Sequence, residues 1–330
     1  MTDGVDAVAL GRWLADNVDG IASPEVTNVE IISGGASNLT IGVDIDGRQL
    51  VVRRPPVGAF LPSANDVSRE YRYLSALQDT DVPTPPVHAF CDDIDVIGAP
   101  FYVMERLHGI VPHEPEALGE LTAEQGRSLS ERFVGVLKSI HAVDIDAVGL
   151  GDAAKRTGFL ERQVARWTDQ WHRAKESDSP VIDELAIQLE RRRPESPPTT
   201  VVHGDYRLGN VMVDVSRTDI VGVFDWEMAT LGDPYADVGY TLLWWGTTDR
   251  PLINPSQAVA DLPGFLSADE VCRAYGADST AFDFYIALAA FKLAIIGEGN
   301  RARARRLGHE VPGGENPLPG WALDLITRGT

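Results

Sequence analysis

The apolar residues of this chain are mostly at strand spacing in its first third and mostly at helical spacing beyond it, and that division sets the architecture. Up to about residue 105 they recur in short, strand-length runs separated by turn dipeptides; beyond it they recur at helical spacing over long stretches. Strand-like runs cover residues 26–33, 39–45 and 49–54, with Gly34-Gly35 in the first gap and the hairpin dipeptide Asp46-Gly47 in the second. Pro55-Pro56 stops the third run. Two more strands fit 87–91 and 100–104. A short amphipathic helix is expected over 5–17, with Val5, Val8, Ala9, Leu10 and Trp13 near one face. Another is expected over 63–77, with Ser63 as its N-cap and Val67, Tyr71 and Leu74 on its apolar side. Helical spacing then marks 122–141, 159–174, 181–192, 237–245 and 281–306. An antiparallel sheet with a helix, followed by a larger, mostly helical remainder, is an α+β pattern in two lobes, 1–106 and 107–330.

At 330 residues, with 44% hydrophobic and 24% charged residues, the chain can bury a substantial core. No stretch approaches the roughly 18 consecutive apolar residues of a membrane span. The N-terminal residues Met1-Thr2-Asp3-Gly4 lack the basic and apolar pattern of a secretion signal, so a cytoplasmic location and no membrane partner are expected. Cys91 and Cys272 show no metal-ligand spacing and read as buried thiols in a reducing compartment. A net charge of −20 argues against a nucleic-acid partner. It suits solubility and would also favour a cationic substrate. The only lysines are Lys138, Lys155, Lys175 and Lys292, so the strand-rich lobe has none.

The densest chemistry lies in Val201-Val202-His203-Gly204-Asp205-Tyr206-Arg207-Leu208-Gly209-Asn210, followed by Phe224-Asp225-Trp226-Glu227. Phosphoryl transfer needs one carboxylate to take a hydroxyl proton, and an amide and a second carboxylate to hold magnesium on the phosphates. Asp205 fits the first role, and Asn210 and Asp225 fit the second, as oxygen ligands of a hard cation. The aspartate-to-asparagine gap equals that of the protein-kinase catalytic signature. His203 is expected to brace the loop. A tight turn at His203-Gly204-Asp205 and a strand-end cap at Asp225 are the competing reading.

Other segments fall into place around that motif. Ser33-Gly34-Gly35-Ala36-Ser37-Asn38 suits a phosphate cradle, in which Gly34 and Gly35 admit the backbone and Ser37 and Asn38 add polar groups; it equally suits a plain hairpin turn. The third strand should supply a cation to the phosphates, paired with a glutamate on the next helix. Here that strand offers Arg53, with Arg54 as the alternative, and Glu70 as partner. Met104, Glu105 and Leu107 lie where the chain leaves the sheet and are candidates to contact adenine, although Met104 also suits plain core. Asp233 fits as the cap of a helix starting at Pro234, and Asp237 as a brace of the catalytic loop. Arg301, Arg303, Arg305 and Arg306 read as a solvated helix end, with Arg303 a candidate for an anionic substrate group. Leu242-Leu243-Trp244-Trp245 reads as core, part of which is placed to line an acceptor pocket.

On these motifs the chain resembles the aminoglycoside phosphotransferase and choline kinase superfamily, small-molecule kinases with a protein-kinase-like fold. The resemblance runs from about Ile31 to Arg306. It implies an ATP site between the lobes, Asp205 as catalytic base, and Asn210 and Asp225 as magnesium ligands. The chain is more closely similar to the phosphotransferase domains associated with acyl-CoA dehydrogenases. Gly34-Gly35-Ala36-Ser37-Asn38, Arg53-Arg54-Pro55-Pro56, Ser68-Arg69-Glu70-Tyr71 and 98–105 carry that likeness. An arginine at the third-strand position is similar to what that branch shows. No long activation segment with an Ala-Pro-Glu anchor follows Asp225, which disfavours a protein kinase. The C-terminal segment lacks a carboxylate cluster suited to cationic aminoglycosides.

The expected activity is therefore an ATP- and Mg2+-dependent transfer of phosphate to a hydroxyl of a small molecule, a hydroxy acid or hydroxyacyl-CoA in the first instance. The first lobe would bind nucleotide and the second would carry catalysis and the acceptor. An aminoglycoside or amino-alcohol kinase is the alternative within the enzymes. A nucleotide-binding pseudokinase acting as a partner module is the alternative of another class.

Overall fold

The computed structural model describes residues 5–33, 38–56, 66–176, 178–246, 258–309 and 316–328. Its contacts divide the chain into two compact units, Met1–Gly109 with Val221–Ala229, and Ile110–Ile220 with Thr230–Thr330. The segment carrying Asp225 thus groups with the strand-rich unit, which a single cut near residue 106 does not anticipate. The fold is α+β.

In the first unit, helix α1 (Ala7–Asn17) begins at Asp6, whose carboxylate accepts from the amides of Val8 and Ala9, each at 3.0 Å. Strands β1 (Val26–Ser33), β2 (Leu39–Ile45) and β3 (Arg48–Arg54) follow, then α2 (Val67–Leu77), β4 (Val87–Cys91), the short α3 (Ile94–Ile97) and β5 (Phe101–Glu105). They form one antiparallel sheet in the order β1-β2-β3-β5-β4. Asp46 (φ 50°) and Gly47 (φ 76°) both take the left-handed region, the turn a two-residue hairpin requires. Leu10 and Leu14 of α1 pack with Val43, Ile45, Leu50, Val52, Phe101 and Val103 of the sheet. Residues 34–37, and with them the expected cradle positions Gly34, Gly35 and Ser37, lie outside the described residues. So does Ser63. The helix expected from Ser63 starts at Val67, and its cap is Asp66, which accepts from the Ser68 amide at 3.0 Å.

The second unit is mostly helical. Helices α4 (Ala123–His141), α5 (Phe159–Ala174) and α6 (Pro180–Arg191) precede β6 (Thr200–Val202) and β7 (Val211–Val213). Next comes β8 (Ile220–Val223), whose last three residues fall in the first unit, then β9 (Thr230–Gly232). Helices α7 (Pro234–Trp244), α8 (Ala268–Tyr275), α9 (Asp283–Arg306) and α10 (Leu318–Thr327) complete it. Strand β6 pairs antiparallel with β9, Val201 opposite Leu231. Helix α4 starts with a reciprocal box in which the Gln125 amide donates to the Thr122 side chain and Gln125 returns the bond.

Helix α9 packs against α5, α6, α7 and α10. With the turn before it, Ser279–Arg306, it is the one helix among the described residues long and apolar enough to cross a membrane by length and composition. Yet 61% of its apolar window is buried inside the protein, as befits a core helix. Helix α7 starts three residues earlier than its periodicity suggested, because Asp233 caps it and Pro234 occupies its first turn. Helices α8 and α10 of this unit, like the one-turn α3 of the first, lie outside the expected set. Cys91 and Cys272 are both buried free thiols.

Candidate active site

The segment His203–Asn210 leaves β6 as a loop whose backbone is held at nearly every peptide. His203 is fully buried, and Gly204 takes φ 83°, a conformation glycine adopts without strain. Asp237, fully buried on α7, accepts from the amides of His203 (2.6 Å) and Gly204 (2.7 Å). Its second neighbour is His141 on α4, Nε2 to Oδ2 3.2 Å, and the His141 Nδ1 lies 2.7 Å from the Tyr275 hydroxyl of α8. Burial pushes the Asp237 carboxyl up, but the bond from His141 and that from the Gly204 amide outweigh it and hold it below the usual range. His203 stays within the loop, where its Nδ1 accepts from the Asp205 amide at 3.2 Å.

Asp205 and Asn210 meet directly. The Asn210 amide nitrogen donates to the Asp205 carbonyl (2.8 Å) and carboxylate (2.7 Å), which makes its amide oxygen the atom a hard cation would take. Tyr240 of α7 also bonds the Asp205 carboxylate; burial first, then that carboxylate, keeps the phenol protonated and donating.

Two cations that sequence reasoning passed over stand beside Asp205. Arg207 Nε is 3.7 Å from its carboxylate, and the Arg207 guanidinium lies 4.9 Å over the ring of Trp244. Lys292, from the middle of α9, donates to the Gly204 carbonyl at 2.8 Å, its ammonium 4.7 Å from the Tyr240 ring. A cavity of about 10 Å³, enough for one water, is lined by Phe133, Arg207, Leu208, Thr241, Trp244 and Trp245. A larger cavity of about 360 Å³ touches Leu242, Cys272, Asp283, Ile286 and Trp321 and none of the motif residues.

Arg303 is exposed and makes no ion pair among the described residues, while Arg305 and Arg306 pair with Glu176, and Arg301 with Glu298. Helical geometry spreads these arginines over several faces. A signal for Arg207 was available, since it sits inside the motif two residues after Asp205. Lys292 had a weaker one, as a lone lysine in an apolar helical run.

In the first unit, β3 turns Arg53 toward α2. Its Nε and Nη2 donate to the two Glu70 carboxylate oxygens at 3.2 and 3.3 Å, Nη2 reaches Asp225 at 3.3 Å, and Nη1 donates to the Thr40 hydroxyl at 2.7 Å. Burial opposes the Arg53 charge, but Glu70 foremost, then Asp225, outweighs it and raises the guanidinium pKa. Arg54 points the other way, fully buried, and donates to the Ile97 carbonyl at 2.5 Å. Period-two geometry could not choose between them. Asn38, also buried, donates to Glu70 at 3.4 Å.

Asp225 takes φ 64° and ψ 55°, a left-handed conformation uncommon outside glycine, and its side chain is 29% exposed. Met104 is buried in the sheet, in register with Val51 and Val87. The Glu105 carboxylate pairs with Arg48 and His88, and its amide is committed to the Pro86 carbonyl at 2.8 Å. Leu107 is half-buried against Gly222. At Glu105 it is thus the N–H that is engaged within the sheet.

No group of three or more His, Cys, Asp or Glu side chains gathers into a metal cage among the described residues. Taken each by itself, the Asn210 amide oxygen and the Asp225 carboxylate are oxygen donors of the kind magnesium takes.

The profile described as "Phosphotransferase enzyme family" matches residues 28–274. Acyl-CoA dehydrogenase family member 10 of Mus musculus is 36% identical over 273 residues, which cover 80% of this chain and 25% of that protein. The chain therefore spans a quarter of the mouse protein's length. A solved structure from Ralstonia eutropha, assigned as an aminoglycoside phosphotransferase, is 29% identical with a TM-score of 0.81, and 98% of each chain is covered. The aminoglycoside phosphotransferase APH(4)-Ia, solved with AMP-PNP and hygromycin B, shares the fold at a TM-score of 0.63 and 17% identity over 98% of this chain and 99% of that one.

Proposed function

The chain belongs to the phosphotransferase enzyme family, and from that premise we propose that it moves the γ-phosphate of ATP onto a hydroxyl of a small anionic molecule, a hydroxy acid or its coenzyme A thioester. The observation that carries this reading is the Asp205 carboxylate, 2.7 Å from the Asn210 amide and set on a loop whose amides are held by the buried Asp237. In the step, the acceptor oxygen bonds to the γ-phosphorus while the bond from that phosphorus to the bridging oxygen breaks, leaving ADP. The hydroxyl proton passes to an Asp205 carboxylate oxygen late in the transfer. Asn210 and Asp225 would hold magnesium, which neutralises charge on the phosphates when bound. Arg53, kept cationic and oriented by Glu70, would draw phosphate oxygens by its charge.

An anionic acceptor is supported by Arg207. In a chain of net charge −20, a cation stacked on Trp244 and 3.7 Å from Asp205 is the local exception. The mouse relative's name, which joins it to acyl-CoA dehydrogenases, supports a thioester among the acceptors.

The test is ATP consumption with magnesium against hydroxy acids, hydroxyacyl-CoA thioesters, amino alcohols and aminoglycosides. The account expects turnover with the first two classes, and Arg207→Gln raising KM for the acceptor more than for ATP. Turnover confined to amino alcohols or aminoglycosides would overturn the anionic reading. Nucleotide binding with no transfer to any class would favour a binding module.

A further inference from the structure

We infer that Lys292 is a positioning residue for phosphoryl transfer, its ammonium fixing the peptide between Gly204 and Asp205. The inference rests on the role proposed for Asp205. The chain from 202 to 206 has four peptide units, and each is held by a side chain. Asp237 takes the amides of the first two, at His203 and Gly204. Asn210 takes the carbonyl of the fourth, at Asp205. The third unit, Gly204 to Asp205, is bound at both ends, its N–H to His203 Nδ1 at 3.2 Å and its carbonyl to Lys292 Nζ at 2.8 Å.

That third unit is the one most ready to rotate. Gly204 has no Cβ and sits at φ 83°, so sterics on its N-terminal side do little to select one peptide orientation. A rotation there would redirect the Asp205 Cα–Cβ bond and draw its carboxylate away from Asn210 and Tyr240. The imidazole bond at 3.2 Å is long and neutral; a bond from an ammonium is charge-assisted and stronger.

Lys292 is itself well placed to hold. It stands on the buried helix α9, with the Tyr240 ring 4.7 Å and the Trp167 ring 6.0 Å from its ammonium. Helix α9 lies directly against α7, which supplies Asp237 and Tyr240. Residue 204 is therefore gripped by a carboxylate from one helix and an ammonium from its neighbour, and α7–α9 packing is coupled to the aim of Asp205.

The test uses the full chain and the variants Lys292→Met, Lys292→Arg, Asp205→Asn and the double variant Lys292→Met/Asp205→Asn. Hydrogen exchange followed by mass spectrometry reads the loop without any acceptor. Lys292→Met should speed exchange over 203–206 while α9 keeps its protection, and Lys292→Arg should restore it. With magnesium ATP and the acceptor class chosen by the panel above, Lys292→Met should lower kcat on the order of 10²-fold with KM for ATP unchanged. In the double variant the loss should not exceed that of Asp205→Asn alone, since both changes act on one group. Unchanged exchange and full kcat in Lys292→Met would overturn the inference. So would a rise in acceptor KM at constant kcat, which would make Lys292 a substrate contact. If Asp205→Asn itself keeps full turnover, the reading of Asp205 fails first; if only Lys292→Met does, the inference alone fails.

Discussion

Arg53 meets Glu70 with two parallel bonds and Asp225 with a third, a geometry a lysine's point charge would not reproduce. Glu70 is 1% exposed, so removing its partner strands a buried carboxylate. Arg53→Ala is therefore expected to destabilise the protein by about 3–5 kcal/mol in denaturant unfolding, and adding Glu70→Gln should recover part of that loss. A cost below 1 kcal/mol would show that Glu70 does not depend on this pair. At this scale the sequence was legible where chemistry is local in the chain. The meeting of Asp205 with Asn210, and the pairing of an arginine with Glu70, could be read from spacing. The choice of Arg53 over Arg54 could not, because it depends on the carbonyl of Ile97, 43 positions away, that receives Arg54. Lys292 contacts a residue 88 positions distant, and no pattern announces such a pair.

Among the elements, α7 carries the most. Asp233 caps it, accepting from the Tyr235 amide and the Tyr285 hydroxyl, each at 2.9 Å, and Asp237, Tyr240 and Trp244 follow along its length. It approaches α9 closely at Gly239, where an added Cβ would sit 2.4 Å from the Tyr285 Cβ. Gly239→Ala should thus destabilise by about 1–3 kcal/mol despite alanine's better helix propensity, read as a fall in Tm. A rise in Tm would mean that the two helices separate at little cost.

The turn after β7 makes a second prediction. Partial burial works against the Asp214 charge, but the Ser216 hydroxyl and the amides of Asp219, Thr218 and Ser216 outweigh it and bring its pKa down to about 2. A carboxyl depressed from about 3.9 stabilises the fold fully above that value, and the contribution drains away as pH falls toward the folded value. The Tm gap between wild type and Asp214→Asn should therefore shrink between pH 5 and 2; a constant gap would contradict the assignment. Strand periodicity and hairpin dipeptides marked all five strands of the first sheet. Helices α8 and α10 escaped notice because they are short, although the Ser267–Glu270 capping box and Gly276 that bound α8 were present to be read.

For the molecule as a whole, two-lobe α+β character was legible from the shift to mostly helical spacing beyond about residue 105, and contacts add that Val221–Ala229 returns to the first unit. That return is a tertiary fact with no local signal. Net charge, by contrast, does not describe the neighbourhood of Asp205. Forty-nine acidic side chains against 29 basic ones would favour a cationic substrate, while Arg207 stands 3.7 Å from the Asp205 carboxylate and Lys292 bonds the carbonyl of Gly204 before it. Local placement outweighs the global sum, because charges farther than about 10 Å are largely screened at 0.1 M salt. In the proposed reaction Asp205 takes the acceptor's proton as phosphate leaves ATP. The most direct measurement is transfer of labelled γ-phosphate to the selected acceptor by wild type and Asp205→Asn, with ATP binding measured alongside. The account predicts a loss of about 10²–10⁴-fold in transfer with ATP binding retained; undiminished transfer by the variant would contradict it.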